Sequence, residues 1–230
     1  MTPQAKHIQK SSSIAQKSRT DFTLFNKIYV FLKDRLPDNI DIKRVLKRIE
    51  NTVPERLTYE LDAIYIGDFD ELNKREIESL FIDGSVLITN KQKSELLLYE
   101  TMLHEIGHSV EKTFAEQIYS DGLLKQEFLN KRKKMLELVK REGYEIRDEK
   151  EFYNIDFDQQ FDDFLYKVIG YDKLNYLLID VFLSPYGATS LREYFANVFE
   201  NYFTTDDPML IKKICPMVYK KISSLTKENW

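Results

Sequence analysis

The chain has 230 residues, and its 34 basic and 38 acidic side chains give a formal net charge of −4 at pH 7. This balance gives no reason to expect a general affinity for nucleic acid or for an anionic membrane surface, so we predict neither as a partner. Hydrophobic residues make up 43% of the sequence, which is enough for a sizeable core, and the single cysteine excludes an intramolecular disulfide.

Residues 1–20 are polar and basic, and we interpret them as a flexible lead-in to one domain that spans residues 21–230. They lack the apolar run of a secretory signal peptide. No stretch of the chain approaches the roughly 18 apolar residues that a membrane span requires. We therefore expect the protein in the cytoplasm of the producing cell or of a host cell.

Two helices are predicted within residues 21–60. From Phe22 onward the apolar residues follow helical spacing until Pro37 ends the run. A second helix is predicted to begin at Asp41 and to end before Pro54. Both helices are expected to pack in the core and to carry no chemistry of their own.

The apolar period then changes, and residues 61–117 are predicted to form a small sheet followed by a long helix. Strands are predicted at residues 63–67, 79–82 and 86–89, with a short helix between the first two strands. The dipeptide at residues 83–84 is Asp-Gly, which is typical of a tight hairpin turn. The sequence therefore predicts an α+β fold with few strands.

The motif that carries chemistry contains two of the three histidines, His104 and His108, with Glu105 directly after the first. On a helix, residues four apart lie on one face, so the two imidazoles can hold one divalent metal ion. Glu105 does not lie on that face of the helix, so it is better placed to act on a water molecule than to bind the metal. Because this H-E-x-x-H pattern is typical of zinc peptidases, we predict one zinc ion and hydrolysis of peptide bonds.

An apolar stripe at helical period runs through the motif and predicts a helix that extends to about residue 117. Gly107 inside this helix costs about 1 kcal/mol relative to alanine, which indicates that another group approaches the backbone closely. Two hydrogen-bonded histidines on an ordinary helix are the alternative interpretation. The stripe consists of Tyr99, Leu103, Ile106, Val110 and Phe114.

We interpret residues 118–183 as a helical insertion. A strongly charged helix is predicted over residues 118–142, and the basic run at residues 131–134 is expected to form a solvated face rather than a nucleic-acid patch. Residues 144–160 are predicted to be irregular. Two further helices are predicted at residues 161–168 and 172–183.

A catalytic zinc site needs three protein ligands and an open position for water. No histidine follows His108, so we expect the third ligand to be a carboxylate from the C-terminal segment, residues 184–230. There a loop leads into an amphipathic helix, and burial of Glu193 beside its apolar stripe would be costly without a partner. A capping role for Glu193 at the start of this helix is the alternative, and Glu200 is the second candidate ligand.

These motifs together resemble those of the lethal-factor-type zinc metallopeptidases, a family that includes the catalytic domain of anthrax lethal factor and the secreted Pro-Pro endopeptidases. The resemblance rests on His-Glu-Ile-Gly-His at residues 104–108, on Tyr186-Gly187 and on Glu-Tyr-Phe-Ala at residues 193–196, and it covers roughly residues 60–205. It implies a zincin-like fold, α+β and mostly helical, with a small mixed sheet packed beside the active-site helix.

The resemblance also implies the roles of individual residues. It assigns Glu193 as the third zinc ligand beside His104 and His108, with Glu105 as the general base. Tyr186 is implied as a hydrogen-bond donor to the transition state. The substrate would then be a protein or peptide, bound as an added strand at residues 84–89, although an ordinary structural hairpin explains those residues equally well.

Two features depart from the family pattern. Asn197 stands where the family often has an acidic residue, and a long charged segment at residues 118–160 separates the two halves of the motif. The whole chain also resembles, more loosely, small metallopeptidase-like proteins of tailed bacteriophages, which would make it virion-associated. The alternative to an enzyme is a zincin-fold protein with a structural or partner-binding role, such as a virion component.

Overall fold

A computed structural model describes residues 21–227, so the predicted lead-in at residues 1–20 lies outside the described part of the chain. The chain divides into two units, residues 1–105 and 106–230, and the division falls within one continuous helix. The fold is α+β and mostly helical with a small mixed sheet, as predicted. Among the described helices, none is both long and apolar enough to cross a membrane.

The described part of the first unit contains five strands, which are β1 (Asp21–Leu24), β2 (Ile28–Leu32), β3 (Ala63–Gly67), β4 (Ser79–Ile82) and β5 (Ser85–Thr89). They form one sheet in the order β1-β2-β3-β5-β4. The β1–β2 and β4–β5 pairs are antiparallel, whereas β3 pairs in parallel with both β2 and β5. The predicted strands and the predicted hairpin turn before β5 are therefore confirmed.

The predicted helix that begins at Phe22 is wrong, because this segment forms the β1–β2 hairpin. Residues 25–27 connect its two strands, and within this turn Phe25 and Asn26 have φ values of 54° and 56° in the left-handed region. Such turns match the twist of paired strands. Val30 is fully buried while its neighbour Tyr29 is 57% exposed, which is the alternation of a strand rather than of a helix.

The sequence leaves two interpretations of residues 84–89, an added substrate strand or an ordinary structural hairpin, and the structure shows a hairpin of β4 and β5. β5 lies inside the sheet, where β3 pairs with one side of it and β4 with the other. Its backbone donors and acceptors are therefore already engaged, and no further strand can pair there. The strand that ends this side of the sheet is β4.

Three α-helices begin between residues 21 and 105, namely α1 (Ile42–Thr52), α2 (Asp70–Arg75) and α3 (Glu95–Thr113). Asp41 caps α1 as predicted, because its carboxylate accepts a hydrogen bond from the amide of Lys43. The predicted apolar stripe of α3 is buried as far as Val110, whereas its last member, Phe114, is half-buried and lies beyond the end of the helix at Thr113. Its members Tyr99, Leu103, Ile106 and Val110 are at most 1% exposed.

The second unit is helical in its described part. Its described helices after α3 are α4 (Ala115–Tyr119), α5 (Leu123–Arg141), α6 (Gln159–Asp163), α7 (Tyr171–Leu177), α8 (Leu191–Thr204), α9 (Pro208–Ile214) and α10 (Pro216–Lys227). The longest of them is α5, and a π-helical segment, Phe164–Ile169, separates α6 from α7. A short turn, Tyr186–Ala188, precedes α8.

Arg132 on α5 is only 1% exposed, so the prediction of a solvated face is wrong for this residue. Its guanidinium donates hydrogen bonds to the main-chain carbonyls of Glu151, Phe152, Asn154 and Ala188. These carbonyls compensate the cost of burying the charge. Because Ala188 lies just before α8, Arg132 fixes the segment that leads into this helix.

Candidate metal centre

The structure brings together His104, His108 and Glu193, the three residues predicted as metal ligands. Each offers one ligand atom, and the three atoms all lie within 4.8 Å of one another. The histidines are one turn apart on α3, and Glu193 lies in the first turn of α8. Within residues 21–227 this is the one group of its kind, and Glu200 is not part of it.

The spacing inside this group suits a zinc ion. The Nε2 atom of His108 lies 3.5 Å from Oε2 of Glu193. Two ligands of a tetrahedral zinc ion, each bonded at about 2.1 Å, are separated by about 3.4 Å. Two imidazoles and one carboxylate are also a donor set that zinc accepts, so the residues present fit the predicted ion.

A close helix contact places Glu193 beside His108. A Cβ atom added to Gly107 would lie 3.1 Å from Cα of Ala196 and 3.4 Å from Cβ of Phe199 on α8. Any larger residue at position 107 would therefore push α8 away. The predicted close approach to the backbone of Gly107 is confirmed, and its reason is the packing of α8 against the end of α3.

At the start of α8, Ser190 caps the helix, and Glu193 is the predicted metal ligand. Ser190 is the N-cap residue, and its Oγ accepts a hydrogen bond of 3.1 Å from the amide of Glu193. The carboxylate of Glu193 lies instead beside the ring of His108. The cap thus orients the first turn of α8 so that this carboxylate points toward α3.

His108 has a second carboxylate neighbour, Glu111, which the sequence analysis did not identify. Nδ1 of His108 lies 2.8 Å from Oε2 of Glu111. Because a carboxylate accepts hydrogen bonds, a proton on Nδ1 leaves the Nε2 lone pair available for a metal ion. The signal was present in the sequence, since Glu111 follows His108 by three residues and therefore lies on the same face of α3.

Glu111 is only 4% exposed, and neighbouring side chains hold its carboxylate in place. The Tyr119 hydroxyl donates a hydrogen bond to its Oε1 atom, and the Arg192 guanidinium lies 3.5 Å from Oε2. Burial and the adjacent Glu111 carboxylate raise the pKa of Tyr119, so its hydroxyl keeps its proton at neutral pH. The buried carboxylate is thus satisfied and can orient His108.

Glu105, the predicted general base, is 3% exposed, and its two carboxylate oxygens have different surroundings. Oε1 accepts a hydrogen bond of 2.6 Å from the Ser79 hydroxyl. Oε2 is buried and has no hydrogen-bond partner among residues 21–227. A buried carboxylate oxygen without a donor is costly, and a water molecule at the metal centre would supply one.

Tyr186 lies half-buried in the turn before α8. Burial, the hydrogen bond to Asp162 and the nearby Tyr186 and Glu193 all raise the pKa of Tyr171. Tyr186 and Glu193 therefore lie in the same neighbourhood, although the role of Tyr186 stays a prediction.

Asn197, which stands where an acidic residue was expected, packs against the same turn. A Cβ atom added to Gly187 would lie 2.9 Å from Oδ1 of Asn197. Asn197 is 7% exposed, and its side-chain amide occupies the space that Gly187 leaves open. The carboxylate that contacts a predicted metal ligand from outside the ligand group is instead Glu111.

Comparisons of the chain with protein-family models, with curated proteins and with solved structures returned no match. The resemblance to lethal-factor-type metallopeptidases therefore stays a hypothesis.

We predict that Glu193→Ala lowers the affinity for zinc by about a hundredfold or more, because it removes one of three protein ligands. Glu200→Ala on the same helix is the matched control and should bind zinc like the wild type. The measurement is a competition titration against a chromophoric chelator, with circular dichroism to confirm that both variants fold. Equal affinities for the two variants would contradict the assignment of Glu193.

A second prediction concerns the support of His108. Glu111→Gln keeps the shape of the side chain but removes its negative charge, so we expect zinc affinity to fall by about tenfold. Glu116→Gln, on the exposed side of α4, is the control and should leave the affinity unchanged. The same titration decides, and an affinity of Glu111→Gln equal to that of the control would show that Glu111 does not support the ligand.

Proposed function

We propose that the protein is a zinc-dependent endopeptidase with a zincin-like fold. The observation that carries this proposal is the close grouping of His104, His108 and Glu193. Glu105 lies on the same helix as the two histidines, and its buried Oε2 atom has no hydrogen-bond partner among the described residues. Three protein ligands leave one position of a tetrahedral zinc ion open, as catalytic rather than structural zinc sites do. A buried carboxylate next to such a position is suited to proton transfer.

The metal would be held by the three ligands, with Glu111 orienting the ring of His108. When bound, zinc would supply a Lewis acid that lowers the pKa of a water molecule to about 7 and polarises a carbonyl group. The two histidines would act as neutral ligands, and the carboxylate of Glu193 would offset part of the charge of the ion.

Glu105 would act as the general base and then as the general acid. Its Oε2 atom would accept a proton from the attacking water while the oxygen of that water forms a bond to the peptide carbonyl carbon. The same proton would then pass to the amide nitrogen as the carbon–nitrogen bond breaks. The products are a carboxylic acid and an amine, and Glu105 returns to its starting state.

Tyr186 would donate a hydrogen bond to the carbonyl oxygen as negative charge develops there. A donor of this kind contributes about 2–4 kcal/mol to transition-state stabilisation in other acyl-transfer enzymes. The substrate would be a protein or peptide in an extended conformation. Since β5 is enclosed, the substrate backbone would pair with the edge strand β4 rather than with residues 84–89.

Two glycines of the family-like motifs have packing reasons that support the resemblance. Gly107 admits Ala196 of α8, and Gly187 admits Asn197 of the same helix. Both glycines therefore lie where α8 packs closely, and α8 carries Glu193. We propose on this basis that the chain is a lethal-factor-type metallopeptidase.

The experiment that tests the function compares zinc-loaded wild type with Glu105→Gln on a mixed peptide library. We expect cleavage by the wild type and a loss of about a thousandfold in rate for Glu105→Gln, because the amide cannot accept the proton. Zinc content and melting temperature should stay the same, and Glu116→Gln should cleave like the wild type.

Two results would contradict this proposal. A zinc-loaded wild type that cleaves no peptide in the library would favour a zincin-fold protein with a structural or partner-binding role. Wild-type cleavage rates for Glu105→Gln would show that another group accepts the proton.

A further inference from the structure

Ser79, the first residue of β4, contacts the proposed general base across the first unit. Its Oγ donates a hydrogen bond of 2.6 Å to Oε1 of Glu105, from a position 26 residues earlier in the chain. Ser79 is half-buried and Glu105 is 3% exposed, so water competes little for this contact. Nothing in the proposed mechanism so far assigns a role to this serine.

The contact makes the two oxygens of Glu105 chemically different. Oε1 is occupied by a hydroxyl donor, whereas Oε2 is buried without a partner among the described residues. The terminal torsion of a glutamate is broad, so an unrestrained carboxylate can rotate and exchange its two oxygens. The hydroxyl of Ser79 restrains this rotation and leaves Oε2 as the oxygen that is free to accept a proton.

The serine is itself fixed by the sheet. Ser79 is in register with Ile88 on β5, and the amide of Thr89 donates a hydrogen bond of 2.8 Å to the carbonyl of Glu78. A hydroxyl on a paired strand is held more precisely than one on a loop. The restraint on Glu105 therefore comes from a rigid element.

We propose that Ser79 is a positioning residue that fixes the carboxylate of Glu105 with Oε2 directed toward the proton it accepts. This inference rests on the proposed peptidase function and adds to it a residue that does not contact zinc. Ser79 would change the rate of proton transfer without changing the binding of metal or substrate.

The test compares the steady-state kinetics of zinc-loaded Ser79→Ala, Ser79→Thr and wild type on one peptide that the wild type cleaves. We expect Ser79→Ala to lower kcat by between about tenfold and a hundredfold, because the base is no longer held in its productive orientation, while KM stays unchanged. Ser79→Thr keeps the hydroxyl and should recover most of the lost kcat. Ser85→Ala on the neighbouring strand β5 is the matched control and should leave kcat unchanged.

The outcomes separate the positioning role from the function on which it rests. Zinc content and melting temperature are measured for every variant, so a general loss of structure is recognised directly. A kcat of Ser79→Ala equal to that of Ser85→Ala would overturn the positioning role and leave the peptidase intact. An equal loss in Ser79→Ala and Ser79→Thr would overturn it as well, because the hydroxyl would not matter. A wild type without peptidase activity would refute the proposed function and the positioning role together.

Discussion

The packing of α8 against the second half of α3 is the constraint from which the candidate metal centre follows. Gly107 allows this contact, because a Cβ atom there would lie only 3.1 Å from Cα of Ala196. The same contact brings the first turn of α8, and with it Glu193, beside His108. A centre built from two helices in close contact is rigid, as metal binding with a fixed geometry requires.

This packing buries carboxylate groups, and the three carboxylates near the candidate metal centre differ in the groups that surround them. Glu111 has a tyrosine hydroxyl, a guanidinium and a histidine ring around it, so it is satisfied within the protein. Glu105 has a donor for one oxygen only. Glu193 lies with the two histidines at the spacing of zinc ligands. In the proposed mechanism, one carboxylate orients a ligand, one receives a proton, and one binds the metal ion.

The sequence predicted the half of the centre that depends on local spacing. A four-residue interval on a buried helix places His104 and His108 on one face whatever the rest of the fold does. The carboxylate ligand followed from the absence of a later histidine, and the resemblance to a known family favoured Glu193 over Glu200. Glu111 could have been found by the same helical rule, since it lies three residues after His108.

What the sequence could not predict depends on contacts between distant elements. Ser79 meets Glu105 only because β4 lies where it does, and strand order cannot be read from spacing. The same limit applies to residues 84–89, for which spacing alone does not distinguish an available sheet edge from an ordinary structural hairpin. The helix predicted from Phe22 failed for a different reason, because its apolar intervals suit a helix while the turn at Phe25 and Asn26 and pairing with β3 favour strands.

The central claim is that His104, His108 and Glu193 bind one zinc ion, and anomalous diffraction tests it most directly. Crystals grown with zinc would be measured on both sides of the zinc absorption edge. The account predicts one strong peak within about 2.0–2.2 Å of one ligand atom from each of the three residues. A zinc peak at other residues, or none here when the protein is saturated with zinc, would contradict it.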